Sequence, residues 1–415
     1  MSPQIKSKTL LNISTYSKGG RLRLFVRVMC LVVAIVAIWP VLIGASSLAF
    51  VPALSPFVAI ASLLSTRAFH ALTWLGLSVG IVVLVRHRFF CRWICPVGLC
   101  VDGAGRLGRR LGQRPMRGPL LGRWIVWLTI GGALLGYPFL VWLDPLSIFA
   151  NVPFLIRHSS RIVIWLPSTG FLAIILLSII WPRAWCERIC PLGAFQDLML
   201  LARRFLHSII NGKSKAEKQK NVDLIIARRT VLGVAFGAVL TYLIRPVRAK
   251  TSPPLRPPGA RDESQFAGVC TRCGNCLRVC PSGIIERDSG QNGWSNLFTP
   301  VLRFDNDYCR EDCIRCTEVC PSGALMSLSL KEKMFIQIGL PQVDMNVCLL
   351  GDDRECSVCK RWCPYDAIRH VFSEKQYTLV PQIDPKKCTG CGACEAACPT
   401  EPQKAIVVLP NTAHL

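Results

Sequence analysis

Sixteen cysteines between Cys270 and Cys398 fall into four groups, each ending in a Cys-Pro step. Cys270, Cys273, Cys276 and Cys280 are spaced C-x2-C-x2-C-x3-C-P, and Cys388, Cys391, Cys394 and Cys398 repeat that spacing at every position. Between them, Cys309, Cys313, Cys316, Cys320 and Cys348, Cys356, Cys359, Cys363 keep the last two gaps and the proline but lengthen the first gap. Three closely spaced thiolates can cap three irons of one cubane, while a fourth, redirected by proline, reaches a neighbouring cubane. At four thiolates per cluster, the 16 ligands predict four 4Fe-4S clusters. A zinc knuckle needs neither the trailing C-x3-C-P nor four near-copies. No C-x-x-C-H occurs, which excludes covalent haem. Gly274, Gly390 and Gly392 suit tight turns around the sulfurs. The strict spacing of the first and fourth motifs, against the lengthened second and third, favours a nested exchange of fourth cysteines, one with four and two with three. Sequential exchange is the alternative.

Six cysteines lie in the first half. The segments from Arg88 to Gly98 and from Arg183 to Gly193 align at a spacing of 95 residues, and Asp102 and Asp197 keep it. Leu54-Ser55-Pro56 and Leu143-Asp144-Pro145 form a weaker pair 89 apart. This half therefore reads as two copies of a helix, outer loop, helix, CxxxCP unit, related by a pseudo-twofold axis along the membrane normal. If the stretches are helical, Cys91 shares a face with Cys95, and Cys186 with Cys190. Four thiolates brought together could hold a further iron–sulfur cluster or another metal. A transient thiol role and plain structural cysteines are the alternatives. Cys30 reads as a small buried apolar residue. Cys100 has Phe195 at the matching offset of the second copy and is left out of the site.

The elements that must position these residues follow from composition. The chain has 415 residues, 51% hydrophobic and 18% charged, with a net charge of +24. Apolar runs at 28–50, 68–85, 124–143 and 162–181 approach the roughly 20 residues of a membrane span, and a shorter fifth run covers 230–244. Residues 1–27, 86–123 and 183–229 carry six, nine and ten Lys and Arg, against one and two in the loops 51–67 and 144–161. That bias predicts a cytoplasmic N-terminus and cytoplasmic basic loops. Residues 245–415 hold 21 basic and 19 acidic residues, so the basic balance of the chain gives no reason to expect nucleic-acid binding.

The expected fold is an α-helical membrane domain, four spans plus a fifth linker span, followed by an α+β polyferredoxin domain of ferredoxin-like lobes. The expected divisions are a basic N-terminus at 1–27, the membrane domain at 28–210, a basic linker at 211–229, the fifth segment at 230–244, a linker at 245–265 and the four-cluster domain at 266–415. Arg228-Arg229-Thr230-Val231-Leu232 resembles a twin-arginine export signal, with cleavage near Ala249 conceivable. Candidates for accepting quinol protons are His70, Asp144 and His158, at helix ends or in an outer loop.

With these motifs in hand, the first half resembles NapH, the membrane ferredoxin-type subunit of the periplasmic nitrate reductase system. The second half resembles NapG and its relative MauM, and NosR-like proteins share the CxxxCP core. The gaps of Cys309-x3-Cys313-x2-Cys316 depart from the usual NapG order. The resemblance implies a protein of the bacterial inner membrane that oxidises quinol and passes electrons through 4Fe-4S clusters to a periplasmic redox protein or reductase. It also implies nested pairing of the motifs. The alternatives are a maturation or assembly factor supplying electrons to a metalloenzyme, and a cytoplasm-facing electron-transfer subunit.

Overall fold

The computed structural model describes residues 18–39, 45–116, 118–155, 166–210, 217–248, 253–374 and 377–410. Its first half is helical and built on one repeated device, in which a polar or thiol side chain caps a helix whose first residue is proline. Ser55 caps Pro56–Thr66, Cys95 caps Pro96–Arg110 and Asp144 caps Pro145–Phe149, each accepting backbone N–H groups of the first turn. Proline at that position loses no helical hydrogen bond, and the cap satisfies an N–H that the helix cannot.

Breaks in the helices correct the expected membrane architecture. Among the described residues no single helix is long and apolar enough to cross a membrane. Only Ser47–Ala53 and Pro56–Thr66 reach that standard together, and they meet at a 91° bend. The apolar runs are real, but the chain breaks them. The first helix stops at Ile38, ahead of Pro40. The run 124–143 yields Leu121–Leu134, closed by Gly136 at φ +83° and followed by Pro138. The runs 68–85 and 162–181 yield Thr73–Val85 and Thr169–Ile180. A helix of 13 residues is about 20 Å long, short of a hydrocarbon core of about 30 Å. The fifth run lies inside the 32-residue helix Glu217–Arg248. It packs along Leu121–Leu134 through Gly131, Gly233 and Gly237, where a Cβ would collide with the facing helix. The four-span fold with a fifth linker span is therefore not what this chain forms.

The internal repeat survives as packing. Thr73–Val85 of the first copy packs against Pro191–Ile210 of the second, and Thr169–Ile180 of the second packs against Pro96–Arg110 of the first. Phe57, Phe90, Leu146 and Leu192 fill the space between them. Outward faces are apolar as well, with Phe25, Trp74, Ile81, Leu176 and Leu232 each about 60% exposed or more.

The second half has short helices and three separate two-stranded antiparallel sheets, pairing Ile285–Arg287 with Pro300–Leu302, Leu340–Val343 with Ile406–Leu409, and Ile368–Ser373 with Thr378–Ile383. It docks on the loop end of the helical half. Leu48 and Ala49 enter the core around Phe266 and Phe304, Ser62 Oγ donates to the Ser322 carbonyl at 2.7 Å, and Asn151 Nδ2 donates to the Arg272 carbonyl at 3.3 Å.

Candidate metal centres

Each motif of the second half leads its thiols into a helix of one turn or slightly more, Asn275–Val279, Arg315–Glu318, Val358–Trp362 and Ala393–Ala397. Gly274 and Gly392 start two of these helices in the left-handed region, at φ +73° and +85°. A side chain there would be strained, and its Cβ would also strike Phe154 at Gly274 or Phe304 at Gly392. The first helix packs against the second and the third against the fourth.

That packing decides the exchange of fourth cysteines. Cys320 joins Cys270, Cys273 and Cys276 around one cavity, and Cys280 joins Cys309, Cys313 and Cys316 around the next. Cys398 joins Cys348, Cys356 and Cys359 in the other lobe. Cys363 stands beside Cys388, Cys391 and Cys394, where its charge acts on all three. The exchange is sequential, one with two and three with four, and the nested arrangement is corrected. The hairpin 285–302 folds the second motif back on the first before the chain leaves the lobe.

The donor set fits cubanes. Three of the groups surround cavities with sulfur and the fourth gathers Cys363 beside Cys388, Cys391 and Cys394, while among the described residues no three His, Cys, Asp or Glu side chains converge as a single metal ion requires. Burial pushes the Cys270 and Cys391 thiols up to about 12 and the Cys359 thiol up to about 11. Negative charge on these three sulfurs is thus unfavourable unless a cationic iron core compensates it. Backbone N–H groups of Leu325 and Ala367 donate to Cys320 and Cys363 Sγ, both at 3.3 Å. The Cys309 N–H donates to the Cys391 carbonyl at 2.9 Å, joining the second motif's group directly to the fourth's.

Sequence reasoning missed the surroundings of the first group. Arg287 is buried and Arg278 half-buried there over the Phe154 ring, with guanidinium carbons 4.4 and 5.7 Å from its centroid. Arg287 Nη2 donates to Asn151 Oδ1 at 2.6 Å and Arg278 Nη1 to the Ile38 carbonyl at 2.8 Å. Burial pulls both guanidinium pKa values down to about 10, opposed by the charges of Cys273 and Cys276. Among the described residues no carboxylate pairs with either one, so the sulfurs of the first group are their anionic neighbours. No spacing in the sequence signals this, because the contacts are long-range.

The four cysteines of the repeat do meet, around a cavity of 310 Å³ that also reaches Pro145. The expected shared helix face is replaced by a break. Phe89–Trp93 and the π-turn Trp185–Ile189 end before Cys95 and Cys190, which cap the following helices with Sγ accepting from Gly98 and Gly193 N–H at 3.4 and 3.5 Å. Gln196 Nε2 donates to Cys91 Sγ at 3.1 Å. Arg23, Arg27, Arg88, Arg92 and Arg183 rim this cavity, a cationic wall suited to an anionic cluster. The copies are cross-linked by reciprocal ion pairs, Arg88 to Asp197 at 2.5 Å and Arg183 to Asp102 at 3.7 Å. Cys100 does not line the cavity.

Of the quinol-site candidates, Asp144 is fully buried. It accepts from Ser55 Oγ at 2.6 Å and from the Leu146 and Ser147 N–H groups at 3.1 Å, so the residues 89 apart in the repeat meet at its centre. His70 lies at the interface between halves, 3.2 Å from Arg261 Nη2 and against Gly323. His158 lies outside the described residues.

Fold and sulfur groups together define an iron–sulfur electron-transfer protein with several 4Fe-4S clusters. Residues 67–115 and 163–209 match a 4Fe-4S binding domain, and residues 269–324 and 354–401 match a 4Fe-4S dicluster domain, the latter boundaries agreeing with sequential exchange. The chain is 36% identical over 191 residues to the methylamine utilization ferredoxin-type protein MauM of Methylobacillus flagellatus, covering 44% of this chain and 77% of that one. It is 36% identical over 192 residues to the ferredoxin-type protein NapG of Escherichia coli, covering 44% and 81%. To the ferredoxin-type protein NapF of the same organism it is 33% identical over 151 residues, covering 36% and 83%. No solved structure matches. The chain belongs to the MauM and NapG family of ferredoxin-type proteins.

Proposed function

We propose that this chain carries electrons from a membrane quinol to a redox protein of the periplasm, through one cluster in the helical half and four in the ferredoxin half. The ligands would be Cys91, Cys95, Cys186 and Cys190 for the inner cluster and the four sequentially exchanged groups for the others. Thiolate-bound cubanes pass single electrons, so a row of them turns a two-electron donor into a one-electron wire.

The observation that carries this reading is continuity. Pro145 borders the inner cysteine cavity, and Asn151, just beyond the helix Pro145–Phe149, holds the Arg272 carbonyl beside the first outer group. The first group shares its lobe with the second, the second touches the fourth through Cys309 and Cys391, and the fourth shares its lobe with the third. The exposed apolar side chains of the helical half support contact with lipid. The arginine-rich rim of the inner cavity supports a cytoplasmic orientation of that end, with the ferredoxin half outward.

The test is reduction of the purified full chain by a menaquinol or ubiquinol analogue, followed by low-temperature electron paramagnetic resonance. Reduction blocked by a headgroup-competitive quinone inhibitor is the expected result. Rapid reduction by NADH alone, or no response to any quinol, would instead favour a protein that supplies electrons to metalloenzyme assembly.

A further inference from the structure

A cavity of 1130 Å³ lies between the helices Leu121–Leu134, Pro191–Ile210 and Glu217–Arg248. Among the described residues no cysteine lines it, and neither Asp144 nor His70 does. Its walls are largely carbon, with Trp124, Trp127, Leu198 and Phe236 prominent, yet Arg123, Arg188 and Arg229 also line it. The three arginines belong to one end. Gly233 abuts Trp127 and Thr241 abuts Gly132, so the two helices run side by side in the same direction. Arg229, one turn before Gly233, is therefore level with Arg123, one turn before Trp127. Arg188 reaches the same end, where its Nη1 donates to the Gly118 carbonyl at 2.6 Å.

Among the described residues no acidic side chain lines the cavity and no carboxylate pairs with any of the three guanidinium groups. Unpaired cations above a long apolar cavity call for a ligand with an anionic head and a hydrocarbon body. Guanidinium groups bind phosphate oxygens bidentately. The volume exceeds the roughly 300–1,000 Å³ usual for small-molecule sites. A quinol fits less well, because its oxidation releases protons and among the described residues no His, Asp, Glu or Tyr lines the cavity to accept them.

We propose that this cavity binds one anionic phospholipid, its phosphate held by Arg123, Arg188 and Arg229 and its acyl chains along Trp124, Trp127 and Phe236. The site rests on the membrane reading above and places the phosphate at the basic end, where the anionic leaflet lies. It also gives Arg229, half of the twin-arginine pair, a binding role in the folded protein.

Tryptophan quenching in vesicles tests this. The full chain is reconstituted into mixtures of phosphatidylglycerol and phosphatidylcholine in which one lipid or the other carries brominated chains, with W124F/W127F identifying the local signal. Brominated phosphatidylglycerol is expected to quench the Trp124 and Trp127 emission with a preference on the order of tenfold over brominated phosphatidylcholine. R123Q/R229Q should abolish the preference and R123K/R229K should retain part of it. Equal quenching by both lipids, an undiminished preference in R123Q/R229Q, or displacement of the brominated phosphatidylglycerol by a ubiquinone analogue would overturn the site while leaving the membrane reading standing. Failure to enter vesicles of either lipid would overturn both.

Discussion

Removing two thiols at a time distinguishes the sequential exchange from every other pairing, because the count of lost iron depends on which cysteines share a cluster. Cys273 and Cys320 line one cavity, so C273S/C320S strips two ligands from a single group. Four intact outer groups hold about 16 iron atoms, counted apart from the four of the inner cluster, and of these 16 this variant should retain about 12. Cys273 and Cys280 belong to different groups although they sit in one motif, and C273S/C280S should retain about eight. The pair C273S/C398S spans the two lobes and should also retain about eight. The assay is iron and acid-labile sulfide per chain, with spin quantitation of the reduced protein. The second lobe acts as an internal control for folding in the first two variants, since neither changes it. Nested exchange would reverse the pattern: C273S/C398S would lose about four iron atoms and C273S/C320S about eight. That reversal would refute the pairing and the packing argument behind it.

Gly274→Ala should lower the melting temperature of the ferredoxin half more than Gly283→Ala. Both residues have positive φ, costing about 1–2 kcal/mol for a side chain, but only at Gly274 does the new Cβ meet an aromatic ring, Phe154 Cε2 at 2.7 Å, whereas nothing lies within 4 Å of Gly283. Equal shifts in calorimetry would mean that Phe154 yields freely. Arg287→Gln removes a buried cation beside Cys273 and Cys276, and the first outer cluster should become harder to reduce, by about 60 mV for each tenfold loss in its reduction equilibrium. Redox titration followed by electron paramagnetic resonance reads this, and an unchanged or raised potential would count against that placement. Cys91→Ser with Cys186→Ser should remove about four iron atoms while the signals of the ferredoxin half persist; an unchanged iron count would leave the inner cysteines without a cluster.

The four motifs were legible because the first and last ligands of one motif lie ten to fifteen residues apart, a distance over which local backbone geometry fixes where sulfurs can reach. The internal repeat was legible for a similar reason. Its paired residues stand at equal offsets, and Arg88 with Asp197, Arg183 with Asp102, and Ser55 with Asp144 do meet across the two copies. Motif exchange was not legible, since the fourth thiol's destination depends on which short helices pack together, and spacing alone pointed to the wrong partners. The membrane architecture misled in another way. Hydropathy counts apolar residues in a run, whereas a span also needs an unbroken helix, and the prolines and glycines that end Lys18–Ile38 and Leu121–Leu134 early leave mean hydropathy almost unchanged. Arg278, Arg287 and the arginine-headed cavity belong to the tertiary structure alone. The sequence shows their charges, but only long-range packing decides that they are set beside sulfur or gathered above hydrocarbon, because burial is a property of neighbours brought together from distant parts of the chain.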